Sequence, residues 1–193
     1  MIRKSFAIPL AVVLACAVLP GLALAQTEAK DKTPAQTRQE VHKDVQNTIA
    51  RYKKEDPGID RFFKKSAGYV VFPRVGKAGL IFGVGHGGGE LFEKGRVIGT
   101  ASISLGTVGL QAGAQEFSEI VFFENRAALD RFKQNKFEFA ANASAVIVKH
   151  GASTSTEYRD GVAVFNQVTG GAMVEAALGG QKFKFTADAK KGK

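Results

Sequence analysis

Gly68-Tyr69-Val70-Val71-Phe72-Pro73-Arg74-Val75-Gly76-Lys77-Ala78-Gly79-Leu80-Ile81-Phe82-Gly83-Val84-Gly85-His86-Gly87-Gly88-Gly89-Glu90-Leu91 opens a block, ending at Gln115, that holds 13 of the chain's 22 glycines. Each glycine inside a helix costs about 1 kcal/mol against alanine, so the block is not helical. Glycine among Val, Ile, Leu and Phe suits strands that bend or pack backbone against backbone. The stretch therefore predicts a supple β-sheet, and it discloses no chemistry.

Outward from it, short β-forming runs cover Tyr69 to Phe72, Leu80 to Val84, Arg96 to Leu105, Val108 to Gln115 and Glu119 to Phe123. Ala101-Ser102-Ile103-Ser104-Leu105 alternates strictly, which gives one buried and one wet face. Three closing strands are expected at Gly161 to Phe165, Ala172 to Leu178 and Gln181 to Phe185, the last an edge strand carrying Lys182 and Lys184. Upstream, Val41, Val45, Ile49 and Tyr52 recur at helical spacing from Pro34 onward. Asp56-Pro57 starts a second, short helix that carries Ile59, Phe62 and Phe63 inward. Asn125 caps an inserted helix with Ala128, Leu129 and Phe132; Phe137 to Ala145 reads equally as helix or strand. The expected fold is α+β: a bent antiparallel sheet or partly closed β-barrel, with N-terminal helices and one inserted helix packed against it.

The first 25 residues read as an export signal. Arg3 and Lys4 precede an almost wholly apolar run, Phe6 to Leu24, and Ala23-Leu24-Ala25 offers small residues to a signal peptidase. Cleavage after Ala25 is the expectation. The alternative is acylation of Cys16, since Val13-Leu14-Ala15-Cys16 loosely resembles a lipobox. Cys16 is the sole cysteine, so the cleaved chain has no thiol chemistry and no disulfide. Cleavage also lowers the formal charge from +9 to +7, a basic balance that attracts anionic surfaces. Residues 26–33 read as a flexible tether, 34–187 as one domain, and 188–193 as a frayed basic tail.

Searching for chemistry yields little. Gly83, Gly85 and Gly88 formally satisfy GxGxxG, but no helix-forming segment follows and no acid lies about twenty residues on, so a dinucleotide is not expected. His42, His86 and His150 share no ligand spacing, and no metal site or cofactor is expected. Gly-x-Ser-x-Gly is absent, and among Glu116, Glu119, Glu124 and Glu138 no acid pair has a testable signature. No catalysis is expected. Lys53, Lys54, Arg61, Lys64, Lys65, Arg74 and Lys77, beside Phe62 and Phe63, form the candidate lipid-binding group, interrupted by Glu55, Asp56 and Asp60.

Ala67-Gly68-Tyr69-Val70-Val71-Phe72-Pro73, Lys77-Ala78-Gly79, Gly83-Val84-Gly85 and Gly87-Gly88-Gly89-Glu90-Leu91 resemble the opening of the SYLF domain. Gly109-Leu110-Gln111-Ala112-Gly113-Ala114-Gln115 is similar to the same family's Gly-x-Gln-x-Gly-x-Gln segment, and the likeness runs from about residue 40 to about residue 186. The resemblance implies a non-enzymatic module that binds acidic lipids, some members associating with actin. In an exported bacterial chain the implied partner is an anionic phospholipid of the membrane surface, in the periplasm or cell envelope of a Gram-negative bacterium. The rival expectation is an envelope protein–protein interaction module, actin- or host-directed. Nucleic acid is not expected. The eukaryotic members' membrane-contacting segment would fall at the N-terminus, where this chain has its signal and tether.

Overall fold

The computed structural model describes residues 34–136, 138–139, 145–147 and 149–188, and residues 32–193 form one compact unit. The export signal, Cys16, the tether, residues 189–193 and most of the ambiguous 137–145 stretch lie outside the described residues. The elements are α1 (Pro34–Glu55), a 3-10 turn (Pro57–Ile59), α2 (Asp60–Lys65), β1 (Gly68–Gly79), β2 (Phe82–Glu93), β3 (Arg96–Phe123), α3 (Arg126–Lys133), β4 (Glu138–Phe139), β5 (Ala145–Ile147), a 3-10 turn (Ala152–Ser155) and β6 (Val162–Ala187).

The sheet is six-stranded and open, antiparallel except where β5 runs parallel to β6. Its plan is a set of nested turns. β1 and β2 form an inner hairpin about Leu80-Ile81. β3 runs out along β2, with Val108 opposite Phe82, and returns along β1, with Gly113 opposite Gly79. β6 follows β3 throughout, from Val162 opposite Phe123 to Ala187 opposite Gly99.

This corrects the expectation of separate short strands. Gly106 and the Glu116 to Ser118 stretch had the look of strand boundaries, yet Arg96–Phe123 is one strand of 28 residues. Gly109 and Gly113 carry the bend at positive φ, 142° and 120°, which a side chain rarely allows. The three closing strands likewise merge into β6. Its Lys182 is not on a bare edge, because Glu138 pairs with it. Leu80 and Ile81 form the hairpin turn instead of opening a strand, and the GxGxxG glycines lie inside β2.

Two clusters of buried side chains lie on the sheet's two faces. On one, Val45 and Tyr52 of α1, Ile59 and Phe62 pack with Val71, Phe92, Ile120, Phe122 and Phe165. On the other, Ala128, Leu129 and Phe132 of α3 pack with Val70, Phe72, Ile103, Val121, Phe123 and Phe183. The expected helical faces and both caps are present: Asp56 accepts from Gly58 N–H and Asn125 from Ala128 N–H. Tyr52 locks α1 to the sheet, its buried hydroxyl donating to the Ser118 carbonyl at 2.7 Å. Burial pushes that phenol well above its ordinary range. Tyr52→Phe is expected to lower stability by about 1–2 kcal/mol, read by urea denaturation, because a buried carbonyl loses its donor. An unchanged midpoint would mean the bond contributes nothing.

Candidate functional site

The structure divides the seven candidate cations. Lys53, Lys54, Arg61, Lys64 and Lys65 gather where α1 ends and α2 follows, because Asp56-Pro57 turns the chain sharply there. Lys53 and Lys64 both hold Asp60, at 2.9 and 2.6 Å. Hydrogen bonds from Lys64 and then Lys53 pull its carboxyl down to about 2. Lys53 Nζ also sits 4.6 Å above the Phe63 ring. Arg61 lies 4.6 Å over the Phe62 ring and donates to the carbonyls of Ser153 and Thr156. Asp56 is turned inward, accepting from Ser153 N–H at 2.6 Å. Lys54 and Lys65 remain exposed and, among the described residues, make no ion pair.

The other two stand apart. Arg74 is held by Asp44 of α1, which raises its pKa further. Lys77 is buried in β1, opposite Gly85 and Gln115. Phe62 is a core residue and Phe63 half-buried against Tyr69 and Phe122, so neither ring is free to enter an interface.

Beside this corner lies a hollow of about 330 Å³ lined by Arg61, Phe62, Lys65, Glu124, Thr156, Glu157 and Tyr158. The Tyr158 hydroxyl is buried there without a hydrogen-bond partner among the described residues. Burial, and then the charge of Glu124, push it up to about 12. Two cations and two acids give the hollow no strong sign. Among the described residues no catalytic constellation accompanies it: His86 is exposed on β2, His42 bonds Glu90 at 2.8 Å, and His150 is exposed. Among the described residues no three His, Cys, Asp or Glu side chains converge as a metal site. No described helix is long and apolar enough to cross a membrane.

Two features escaped the sequence reading. Glu119 is fully buried, its Oε2 accepting from Gln181 at 2.9 Å and, with the Asn166 amide oriented by its hydrogen bonds, from Asn166 at 2.9 Å. The second is the end of the β1–β2 hairpin, where Leu80, Ile81, Phe82 and Val84 stand exposed beside Val108 and Leu110. Gly79 and Gly83 flanking an uncharged Leu-Ile-Phe were the signal for it.

Residues 104–192, from mid-β3 through β6, match the family model described as Ysc84, Las17-binding protein actin regulator. That span includes the second glycine-rich motif. Over those residues the chain is similar to the Ysc84 family. A related protein, Beta cell expansion factor A of Aeromonas veronii, is 25% identical over 154 residues, which cover 79% of this chain. The aligned part is 58% of the Aeromonas protein's own length.

Proposed function

We propose that this chain, similar to the SYLF family, is an exported, non-catalytic module of the periplasm or cell envelope that binds bilayers containing anionic phospholipid. The observation that carries the reading is the cationic corner of α1 and α2. There the nearby acids Asp56 and Asp60 are consumed internally, leaving Lys54 and Lys65 facing solvent. Unpaired cations next to a membrane contribute about 1 kcal/mol each against an anionic leaflet. The similar family's description as an actin regulator supports a protein partner instead, and the experiment separates the two.

Residues 26–193 are mixed with vesicles of neutral or anionic lipid at 0.1 M salt and sedimented. The expected result is preferential binding to the anionic vesicles. Reversing both charges, Lys54→Glu with Lys65→Glu, is expected to weaken that binding by about tenfold or more. Equal or absent binding to the two vesicle types overturns the lipid reading and favours a protein partner. An unchanged preference in the double variant removes the corner from the headgroup contact.

A further inference from the structure

The hairpin end is exceptional in what it lacks. From Ala78 to Gly85, and from Val97 to Gln115, the chain has no Lys, Arg, Asp or Glu. Within those segments Leu80, Phe82, Val84 and Leu110 are each more than 70% exposed, and Ile81 and Val108 are close behind. Soluble proteins rarely gather large apolar side chains this way without something to cover them. The group is built, not frayed. Phe82 pairs with Val108, the bend of β3 wraps the turn, and Gly109 N–H donates to the Ile81 carbonyl at 2.9 Å. The Ile81 carbonyl at the turn is thus satisfied internally, as a main-chain group entering hydrocarbon must be.

Charge complementarity says what covers it. Phe82, Val84 and His86 alternate with the inward-facing glycines of β2, so they share a face with Val108 and Leu110. On that same face, farther from the tip, His86 lies opposite Ser104, and the exposed Lys182 and Lys184 lie opposite Ser104 and Ser102. It is also the face on which α1 packs, since Ser118, Ile120 and Phe122 continue the alternation toward that helix. An apolar end with the exposed Lys182 and Lys184 set behind it, on a face that also carries Glu116 in the row of His86, matches an anionic bilayer, with acyl chains inside and acidic headgroups around. Phe82 and His86 are about 13 Å apart along the strand. That fits within one leaflet's hydrocarbon, about 15 Å.

We propose that the β1–β2 hairpin end, with Leu80, Ile81, Phe82, Val84, Val108 and Leu110, inserts into the hydrocarbon of one leaflet of an anionic bilayer. His86, Lys182 and Lys184 then lie at the headgroups. The inference rests on the lipid reading above and locates a second contact. The α1–α2 corner lies at the other end of β1, next to Gly68, so the hairpin is a separate, salt-resistant attachment.

The chain has no tryptophan, so Phe82→Trp is a single reporter, and Ile147→Trp on β5 is its exposed control away from the hairpin. Each variant of residues 26–193 is titrated with anionic vesicles containing brominated acyl chains, with sedimentation of the same samples. The proposal expects blue-shifted, strongly quenched emission from Trp at 82 and little change from Trp at 147. Phe82→Asp with Leu110→Asp is expected to reduce the fraction bound at 1 M salt by about tenfold or more. Sedimentation with vesicles but no quenching at position 82 overturns the insertion while leaving the lipid reading standing. Absence of sedimentation overturns both. A blue shift at position 82 that grows with protein concentration in the absence of lipid assigns the surface to a second copy of this chain, and also overturns the proposal.

Discussion

Gly89→Ala is expected to destabilise the fold by about 3 kcal/mol or more, enough to leave much of the chain unfolded at 37 °C. A Cβ at this position would stand 2.1 Å from the Val71 carbonyl oxygen and 2.9 Å from a ring carbon of Phe72. The obstacle is backbone, which cannot rotate away. Its cause is the irregularity in β1 between Val71 and Arg74, where the register against β2 shifts and the strand crowds its neighbour. Gly87 faces the other side of the same irregularity, with the Arg74 carbonyl 2.6 Å from its would-be Cβ. Gly88, between them, meets nothing within 4 Å. Gly88→Ala should therefore be neutral or stabilise slightly, since alanine restricts the unfolded chain. Urea denaturation of the two variants checks the pair, and equal midpoints would refute the crowding argument.

Glu119→Gln is expected to remove most of a pH dependence that the parent protein shows. Burial pushes the Glu119 carboxyl from its ordinary 4.5 up to about 7, against the opposing hydrogen bonds from Gln181 and Asn166. The native state thus favours the neutral acid. The resulting stabilisation is complete below about pH 4.5 and is lost as the pH rises through about 7, a change of roughly 3 kcal/mol. The parent should be less stable at pH 8 than at pH 5, and the variant should narrow that gap. Denaturant unfolding at the two pH values measures it. A gap of the same size in both proteins would mean that Glu119 is not the titrating group. The location matters, because Gln181 and Asn166 belong to opposite ends of β6 and both reach Glu119 in β3.

Much of this architecture was legible in the residues. The periodic Val41, Val45, Ile49 and Tyr52, the Asp56 and Asn125 caps, and the alternation at Ala101–Leu105 are local signals, and the structure honours each. Strand length was not legible, because glycine signals a turn and a bend alike. Only the continuous pairing of β3 with β6 distinguishes them. The candidate cations show a similar limit. Sequence proximity brought five of the seven together, but whether each is free depends on distant partners such as Asp44 for Arg74. Glu119 was indistinguishable from the other glutamates for the same reason, since its burial is decided by strands far away in the chain. The hairpin end could have been found from the absence of charge, which is a property of a segment and not of any motif.

Sedimentation of residues 26–193 across a salt series, with neutral and anionic vesicles in parallel, tests the membrane account most directly. As the Debye length shrinks from ~10 Å at 0.1 M to ~3 Å at 1 M, the attraction of Lys54 and Lys65 should fade. The account predicts strong anionic preference at low salt, then a reduced but persistent bound fraction at high salt that Phe82→Asp with Leu110→Asp abolishes. Identical binding to both vesicle types at every salt concentration, or none to either, would contradict it.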